Sequence, residues 1–119
     1  MAAILAFGAH PDDIEFGCGG TVRKLIEKGW SAVHVCVTSG EAGSSTIDRA
    51  TLAATREQEA RRAAEVLGAE RVHFLRAADG LTQYSRDHKI AVINIIREVR
   101  PEILFVHASS DQFPDHKLI

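Results

Sequence analysis

The hydrophobic residues of this chain change period repeatedly, from short continuous apolar runs to the wider spacing of an amphipathic helix and back. Short apolar runs predict buried strands, whereas apolar residues three or four positions apart predict helices. Strands are predicted at residues 3–7, 31–37, 71–75 and 102–107, and helices from about 19 to 29, from about 48 to 67 and over 86–99. The alternation predicts an α/β fold: a Rossmann-like, doubly wound and mainly parallel sheet with helices on both faces.

The length of the chain limits its domain organisation. At 119 residues there is room for one domain, and the sequence contains neither a repeat nor a linker. Pro101 ends the third helix, because proline cannot continue it. Residues 116–119 resemble the first turn of a further helix. We therefore expect residues 1–119 to form the N-terminal portion of a single domain.

The composition excludes several classes of function. A net charge of -2 without a basic stripe argues against nucleic acid as a partner. The longest apolar runs, at residues 2–7 and 32–37, are far shorter than a membrane span. Met1 leads into the first strand without the features of a signal peptide. The sequence therefore predicts a cytoplasmic protein with no membrane association, in which Cys18 and Cys36 remain reduced.

Polar residues gather directly after each predicted strand. The clusters are His10-Pro11-Asp12-Asp13, Thr38-Ser39-Gly40-Glu41, Asp79-Gly80 and residues 109–116. In a doubly wound sheet, ligands bind outside the carboxyl ends of the strands, where the strand order reverses. The first and fourth strands are expected to be neighbours at that point, which would bring the first and last clusters together.

Three residues of these clusters suit a metal ion. His10 and Asp13 are three positions apart on a turn fixed by Pro11, and His116 follows the fourth strand. Zinc binds imidazole nitrogen and carboxylate oxygen, and a catalytic zinc site keeps three protein ligands. Asp12 lies beside the first pair and is free to take a proton from water. We therefore predict a zinc site of His10, Asp13 and His116, with Asp12 as the general base.

The other histidines receive no role at this site. His34 and His73 lie inside predicted strands and His88 opens a helix, positions that are typical of structural or solvated histidines. His107 ends the fourth strand and could line the pocket, but nothing in its spacing assigns it a function.

The glycine-rich segment at residues 17–21 allows an alternative interpretation. A glycine-rich turn that opens a helix can bind phosphate or sugar hydroxyls on its amides, which would make the chain a nucleotide-binding module. The segment lacks the later glycine of the dinucleotide fingerprint and the lysine of a Walker motif. Close packing of a helix against the metal-binding loop is the simpler explanation.

Six segments, in order along the chain, resemble the LmbE-like (PIG-L) zinc N-deacetylases. They are residues 9–15 (AHPDDIE), 19–21 (GGT), 38–41 (TSGE), 56–60 (REQEA), 67–68 (LG) and 111–116 (DQFPDH). Members of this family remove N-acetyl groups from molecules that contain N-acetylglucosamine. The resemblance implies Zn²⁺ as the cofactor and a small N-acetylated sugar conjugate as the substrate.

The resemblance also implies roles for individual residues. His10, Asp13 and His116 would ligate zinc, Asp12 would be the general base, and Arg56 would contact the substrate from the rim. Candidates for neighbouring residues that support the ligands are Glu15, Asp111 and Asp115.

The last motif departs from the family pattern at Phe113, where members usually carry a histidine. That histidine is thought to stabilise the oxyanion or to protonate the leaving amine, and phenylalanine does neither. Losing one such donor costs about a hundred- to thousandfold in rate. The alternative to a working deacetylase is therefore a catalytically impaired metal- or sugar-binding module. An exposed sheet edge would favour self-association into a homo-oligomer.

Overall fold

The computed structural model describes residues 2–80, 85–111 and 114–117. The strands are β1 (Ala3–Gly8), β2 (Ser31–Thr38), β3 (Arg71–Ala77) and β4 (Ile103–Phe105). The helices are α1 (Asp13–Glu27), α2 (Arg49–Leu67), α3 (Arg86–Val99) and α4 (Pro114–Lys117). All strand pairs are parallel, in the order β3-β2-β1-β4. The predicted α/β class and the adjacency of the first and fourth strands are confirmed.

Helices cover both faces of the sheet, as predicted. On one face, a buried cluster joins α3 to β1 and β2 through Leu5, Phe7, Val33, Val35 and Ile95. On the other face, the cluster joins α1 to the same strands through Ile4, Val22 and Ala32. Consecutive residues of a strand point to opposite faces, so a strand covered on both sides is apolar throughout. This explains the continuous apolar runs in the sequence.

Helix α1 begins at Asp13, earlier than the predicted start near residue 19. The glycines at 17, 19 and 20 are inside the helix, although each costs about 1 kcal/mol there relative to alanine. Ile14, which is 3% exposed, anchors the first turn in the core. Because residues 17–20 lie beyond the first four positions, their N–H groups bond within the helix. The alternative interpretation of this segment as a phosphate-binding turn is therefore wrong.

The other helix boundaries agree closely with the sequence pattern. Helix α2 begins after Asp48, whose carboxylate accepts a hydrogen bond from the N–H of Thr51, and ends at Gly68 with φ 90°. Strand β3 runs beyond the predicted segment to Ala77. Strand β4 is shorter than predicted, because only three of its residues pair with β1.

Strand β4 forms one edge of the sheet and leaves apolar side chains in contact with solvent. Leu104 and Val106 are 49% and 56% exposed. The sequence predicts a homo-oligomer, and this remains a prediction; the exposed β4 edge is the surface at which two copies would meet.

Cys18 and Cys36 are free thiols, as predicted. Among the described residues, no helix combines the length and the apolar character needed to cross a membrane.

His34 gives the fold a specific acid sensitivity. Its side chain is 1% exposed, its Nε2 atom has no hydrogen-bond partner among the described residues, and burial lowers its pKa from 6.5 to about 4. In the unfolded chain His34 takes up a proton below pH 6.5, whereas in the folded protein it stays neutral down to about pH 4. Stability is therefore lost as the pH falls through this window, by on the order of 3 kcal/mol.

We expect His34→Leu to remove this loss. At pH 7 the variant keeps or gains stability, because the unpaired Nε2 is removed without opening a cavity. Urea unfolding at pH 7, 6, 5 and 4 measures the free energy of both proteins. If the two curves against pH run parallel, protonation of His34 does not cause the acid sensitivity.

Candidate metal centre

Hydrogen bonds hold the loops at the carboxyl edge of the sheet in fixed positions. The hydroxyl and the backbone N–H of Thr38 both donate to the carbonyl of Ala9, at 2.8 and 2.9 Å. The backbone N–H of Asp79 donates to Glu41 at 2.9 Å, and the Asp79 carboxylate accepts from the N–H of Ala42 at 2.8 Å. These hydrogen bonds connect the loops after β1, β2 and β3 to one another, independently of the histidines of the site.

Asp13 lies at the centre of a cluster of histidines. Its Oδ2 atom accepts a hydrogen bond from the backbone N–H of His10 at 2.8 Å. The same oxygen lies 3.4 Å from Nδ1 of His10 and 3.2 Å from Nε2 of His116. Nε2 of His107 is 3.3 Å away, and its ring stacks on that of His116 with centroids 3.7 Å apart. Segments from the two ends of the chain therefore meet at one carboxylate.

Carboxylates orient the two histidines that the sequence predicts as ligands. Nε2 of His10 lies 2.9 Å from Asp115 and 3.0 Å from Asp79. Nδ1 of His116 lies 2.9 Å from Asp111. A histidine that donates one ring N–H to a carboxylate presents the lone pair of its other nitrogen to a metal. Both rings are held in this way, with the remaining nitrogen towards Asp13.

The electrostatic environment favours a positive charge in this cluster. The hydrogen bond to Asp13 is the main cause that raises the pKa of His10 to about 9, against the effect of burial. Burial acts to raise the pKa of Asp13, but the hydrogen bonds from His10 outweigh it and hold that pKa at about 2. Asp79 and Asp115, at 7% and 5% exposure, add two nearly buried carboxylates. These charges suit a cation, whether a proton or a metal ion.

The donor set fits a metal ion. One ligand atom each from His10, Asp13 and His116 lies within 4.8 Å of the others. Two imidazoles and one carboxylate form a set of nitrogen and oxygen ligands that divalent transition metals accept. The site opens to a cleft of about 520 Å³ that Asp12, Arg56 and Gly80 also line.

Asp12 lies on the wall of this cleft in a strained backbone conformation. Its φ of 128° is outside the regions that a residue with a Cβ normally adopts, and it immediately precedes helix α1 without capping it. Partial desolvation is the main cause that raises the pKa of Asp12, with the charge of Asp13 adding to it. Strain of this kind is often retained where a side chain must point at a reacting group.

Arg56 connects the loops after β1 and β2 to helix α2. Its guanidinium donates to the carbonyl of Pro11 at 2.6 Å and to that of Gly40 at 3.1 Å, and lies 3.5 Å from the Asp12 carboxylate. The family resemblance assigns Arg56 to the substrate, and that contact stays a prediction. The contacts present in the structure hold the turn that carries Asp12.

The structure brings together His10, Asp13 and His116, with Asp111 and Asp115 bonded to the two rings. Glu15 lies in the first turn of α1 and lines a neighbouring groove. Phe113 is outside the described residues. The clusters of metal-binding groups found among the described residues do not include His34, His73 or His88.

Two residues of the site are missing from the prediction made on sequence alone. The sequence assigns no function to His107, yet this residue contacts Asp13 and stacks on His116. Since Phe105 pairs with Ala6, residue 107 lies level with the end of β1. This strand register is the feature that could have indicated that His107 belongs to the site. Asp79 is predicted only as part of a turn, and the chain offers no pattern that directs its carboxylate to His10.

Together, fold and site define a Rossmann-like α/β protein with a histidine–carboxylate cluster at the switch point of its sheet. The family described as PIG-L, GlcNAc-PI de-N-acetylase, matches residues 5–119, and the chain belongs to this family. The resemblance to LmbE-like (PIG-L) proteins is confirmed.

Relatives and solved structures show what the chain is similar to. The diacetylchitobiose deacetylase of Thermococcus kodakarensis is 32% identical over an alignment of 119 positions, which covers 96% of this chain and 45% of that protein. The structure of the N,N'-diacetylchitobiose deacetylase of Pyrococcus horikoshii matches 98% of this chain and 45% of its own, with a TM-score of 0.90 and 30% identity. GalB of Pseudomonas putida KT2440, a 4-carboxy-2-hydroxymuconate hydratase, matches with a TM-score of 0.92 and 29% identity over 99% of this chain and 52% of its own. The chain spans about half the length of the relatives it matches.

Replacement of Gly40 tests whether Arg56 organises these loops. Gly40 has φ 67°, and a Cβ at this position would collide with the Arg56 guanidinium. Gly80, with φ 76°, has open space around an added Cβ and is the matched control. We expect Gly80→Ala to cost about 1–2 kcal/mol through backbone strain. Gly40→Ala costs roughly 1–3 kcal/mol more, because hydrogen bonds of the charged guanidinium are broken.

Urea unfolding measures both costs, and a double-mutant cycle isolates their cause. In an Arg56→Ala background, the two alanine substitutions should cost the same. If Gly40→Ala remains the more destabilising change there, Arg56 is not responsible for the difference.

Proposed function

We propose that this protein is a zinc-dependent hydrolase that removes an N-acetyl group from an N-acetylglucosamine-type sugar conjugate. The observation that carries the proposal is the convergence of His10, Asp13 and His116, with ligand atoms within 4.8 Å of one another, beside the open cleft. Membership of the PIG-L family and the similarity to two diacetylchitobiose deacetylases support the same reaction.

His10, Asp13 and His116 would hold the ion, with Asp115 and Asp111 fixing the two rings. When bound, zinc supplies Lewis acidity, which polarises an acyl oxygen and makes water acidic enough to react at neutral pH. The buried carboxylates around His10 compensate the charge of a divalent cation. Their hydrogen bonds also fix which nitrogen of each ring faces inward.

The residues of the chain itself would move the protons. Asp12 faces the same cleft as the ligands, and its raised pKa makes it a stronger base than an ordinary aspartate. We assign it the removal of a proton from the attacking water and the delivery of that proton to the leaving amine. Arg56 holds the backbone turn on which Asp12 sits, so that its carboxylate stays within the cleft. The products would be acetate and the free amino sugar.

Hydration of a carbon–carbon double bond is a second candidate reaction. The similarity to GalB, with a TM-score of 0.92, favours it. Adding water across a double bond conjugated to a carboxylate is compatible with the same site, since Asp12 would activate the water and a bound metal ion would supply Lewis acidity. An assay for acetate release and an assay for loss of conjugated absorbance, on the same preparation, separate the two reactions.

The proposal places the protein in the cytoplasm with a small-molecule sugar conjugate as its partner, and with no nucleic acid or membrane involved. Homo-oligomer formation through the β4 edge belongs to the same proposal. The exposed Leu104 and Val106 support it.

Metal content tests the ligand set. We expect about one zinc ion per chain by elemental analysis, and its loss in His10→Ala and His116→Ala. Asp111→Ala should weaken zinc binding by about 10- to 100-fold, because the His116 ring loses its orienting acceptor. His88→Ala, outside the cluster, serves as the control and should keep its zinc. Full zinc occupancy in His116→Ala would overturn the assignment.

Asp12→Asn separates metal binding from catalysis. The amide cannot act as a base, so we expect the rate of acetate release to fall by about a hundredfold to ten-thousandfold while zinc content is unchanged. Acetate release from N,N'-diacetylchitobiose measures the rate. Activity that survives in chelator-treated, metal-free protein contradicts the proposed mechanism as a whole.

A further inference from the structure

A buried ion pair links helix α2 to the end of strand β3. Glu57, the residue after Arg56, is 7% exposed. Arg76 donates to both oxygens of the Glu57 carboxylate, from Nε at 3.1 Å and from Nη2 at 3.0 Å. The hydroxyl of Ser39, after β2, donates to the same carboxylate at 2.5 Å. One nearly buried carboxylate therefore joins three segments of the chain through charge-assisted hydrogen bonds.

The charges at this junction are complementary. The hydrogen bonds from Arg76 are the main cause that lowers the pKa of Glu57, and the Ser39 hydroxyl acts in the same direction, against the effect of burial. Arg61, one turn further along α2, adds a second guanidinium at 3.4 Å. Glu57 is therefore ionised at neutral pH, and its removal would take away the ion-pair partner of Arg76.

Arg76 occupies a bulge in β3 and has a backbone conformation that is unfavourable for arginine. Between Cys36 and Thr38, two steps along β2 match three steps along β3. Arg76 lies in the extra step with a φ of 57°, in the left-handed region that favours glycine. The ion pair with Glu57 offsets the cost of this conformation.

The bulge directs the residues that follow it towards the candidate metal centre. An extra residue in a strand reverses which side chains beyond it face each side of the sheet. After Arg76, Ala77 and Asp79 are buried, whereas Ala78 is exposed. The Asp79 carboxylate lies 3.0 Å from Nε2 of His10. Loss of the bulge would therefore turn the Asp79 side chain away from His10.

Glu57 also acts on the loop after β2, which holds Asp79 from the other side. Ser39, whose hydroxyl bonds to Glu57, lies two residues before Glu41. The Glu41 carboxylate accepts the N–H of Asp79, and the Asp79 carboxylate accepts the N–H of Ala42. Both segments that orient Asp79 are thus bonded to the same glutamate.

From these contacts, and resting on the zinc-dependent function proposed above, we propose that Glu57 is a positioning residue of the candidate metal centre. Through its ion pair with Arg76 it holds the bulge of β3, and the bulge places the Asp79 carboxylate at His10. The His10 ring then keeps the orientation in which its other nitrogen faces Asp13, as metal ligation requires. Glu57 is not among the described residues that line the cleft, and it acts through the residues it holds.

Substitutions of Arg76 test the proposal at a position whose side chain is 68% exposed. Arg76→Ala removes the ion pair and keeps the preference for negative φ, so the bulge should relax. We expect zinc affinity, measured by competition with a chromophoric chelator, to fall about tenfold, since Asp115 still orients His10. Arg76→Gly also removes the ion pair, but glycine adopts positive φ freely, so its zinc affinity should stay within about threefold of the wild-type value.

Glu57→Gln tests the other member of the pair. The amide keeps the size of the side chain and can still accept a hydrogen bond from Ser39, but it has no charge to hold Arg76. Zinc affinity should fall about tenfold, and adding Arg76→Gly to this variant should restore it to within about threefold of the wild-type value.

Glu98→Gln is the matched control. Glu98, in α3, pairs with Arg71 at 2.6 Å and so forms another ion pair between a helix and β3, at the opposite end of that strand. The same glutamate-to-glutamine change should leave zinc affinity unchanged there.

Amide hydrogen exchange in the metal-free protein separates positioning from general stability. The N–H groups of Ala42 and Asp79 make the hydrogen bonds that hold Asp79 in the site. In Arg76→Ala and Glu57→Gln their exchange should accelerate about tenfold or more, while that of Val35 in the centre of β2 changes less than about threefold. A purely structural role would accelerate all three amides alike.

Several results would overturn the proposal. One is an equal loss of zinc affinity in Arg76→Ala and Arg76→Gly, and another is unchanged affinity in Glu57→Gln. Uniform acceleration of exchange, with Val35 affected as much as Asp79, is a third. A wild-type protein that binds no zinc would overturn both this proposal and the proposed function.

The hydrolase assignment can fail independently of this proposal. If the wild-type protein binds zinc but releases no acetate from N-acetylated sugars, the assignment of the reaction is wrong. Zinc affinity and hydrogen exchange require no turnover, and they still decide whether Glu57 positions the metal centre.

Discussion

A single carboxylate oxygen, Oδ2 of Asp13, is the interaction on which the site depends. It lies between nitrogen atoms of His10, His107 and His116, and it also accepts the backbone N–H of His10. Burial acts to raise the pKa of Asp13, and the hydrogen bonds from His10 together with the charges of His116 and His10 lower it to about 2. The surrounding loops hold these groups in place. The partly buried negative charge of Asp13 is stabilised by positively charged or hydrogen-bonding groups nearby, and the three histidines that surround it supply them.

The fold could be predicted well from the sequence because its signals are local. Buried parallel strands form continuous apolar runs, and Asp48, Ser85 and Gly68 mark helix ends by side chains or backbone angles that such positions favour. The predicted start of α1 is too late, because consecutive glycines usually indicate a turn. Packing compensates for their low helix propensity here, as Gly19 lies against Leu67 of α2. Tertiary contacts of this kind leave no periodic pattern.

The site was predictable to the extent that it lies at the carboxyl ends of neighbouring strands. The rule that ligands bind at the carboxyl ends of neighbouring strands was enough to group His10, Asp13 and His116. The positions of the other site residues depend on strand register and loop hydrogen bonds, which this rule does not include. The position of His107 follows from the register of β4 against β1, and the direction of Asp79 from its reciprocal hydrogen bonds with the loop after β2. The guanidinium of Arg56 bonds to backbone carbonyls, which no side-chain motif reveals.

The pairing of β1 with β4 has a consequence for the order of events in folding. Ile4 pairs with Ile103, and the Ala9 N–H bonds to His107 across 98 positions of the chain. Contacts between such distant segments close large loops, at an entropic cost that grows with loop length. We therefore expect the histidines from both segments to assemble after the central strands have docked. A cation ligated by His10, Asp13 and His116 would bind only the folded protein. The fraction of chains that hold the cation would therefore measure the fraction that has folded.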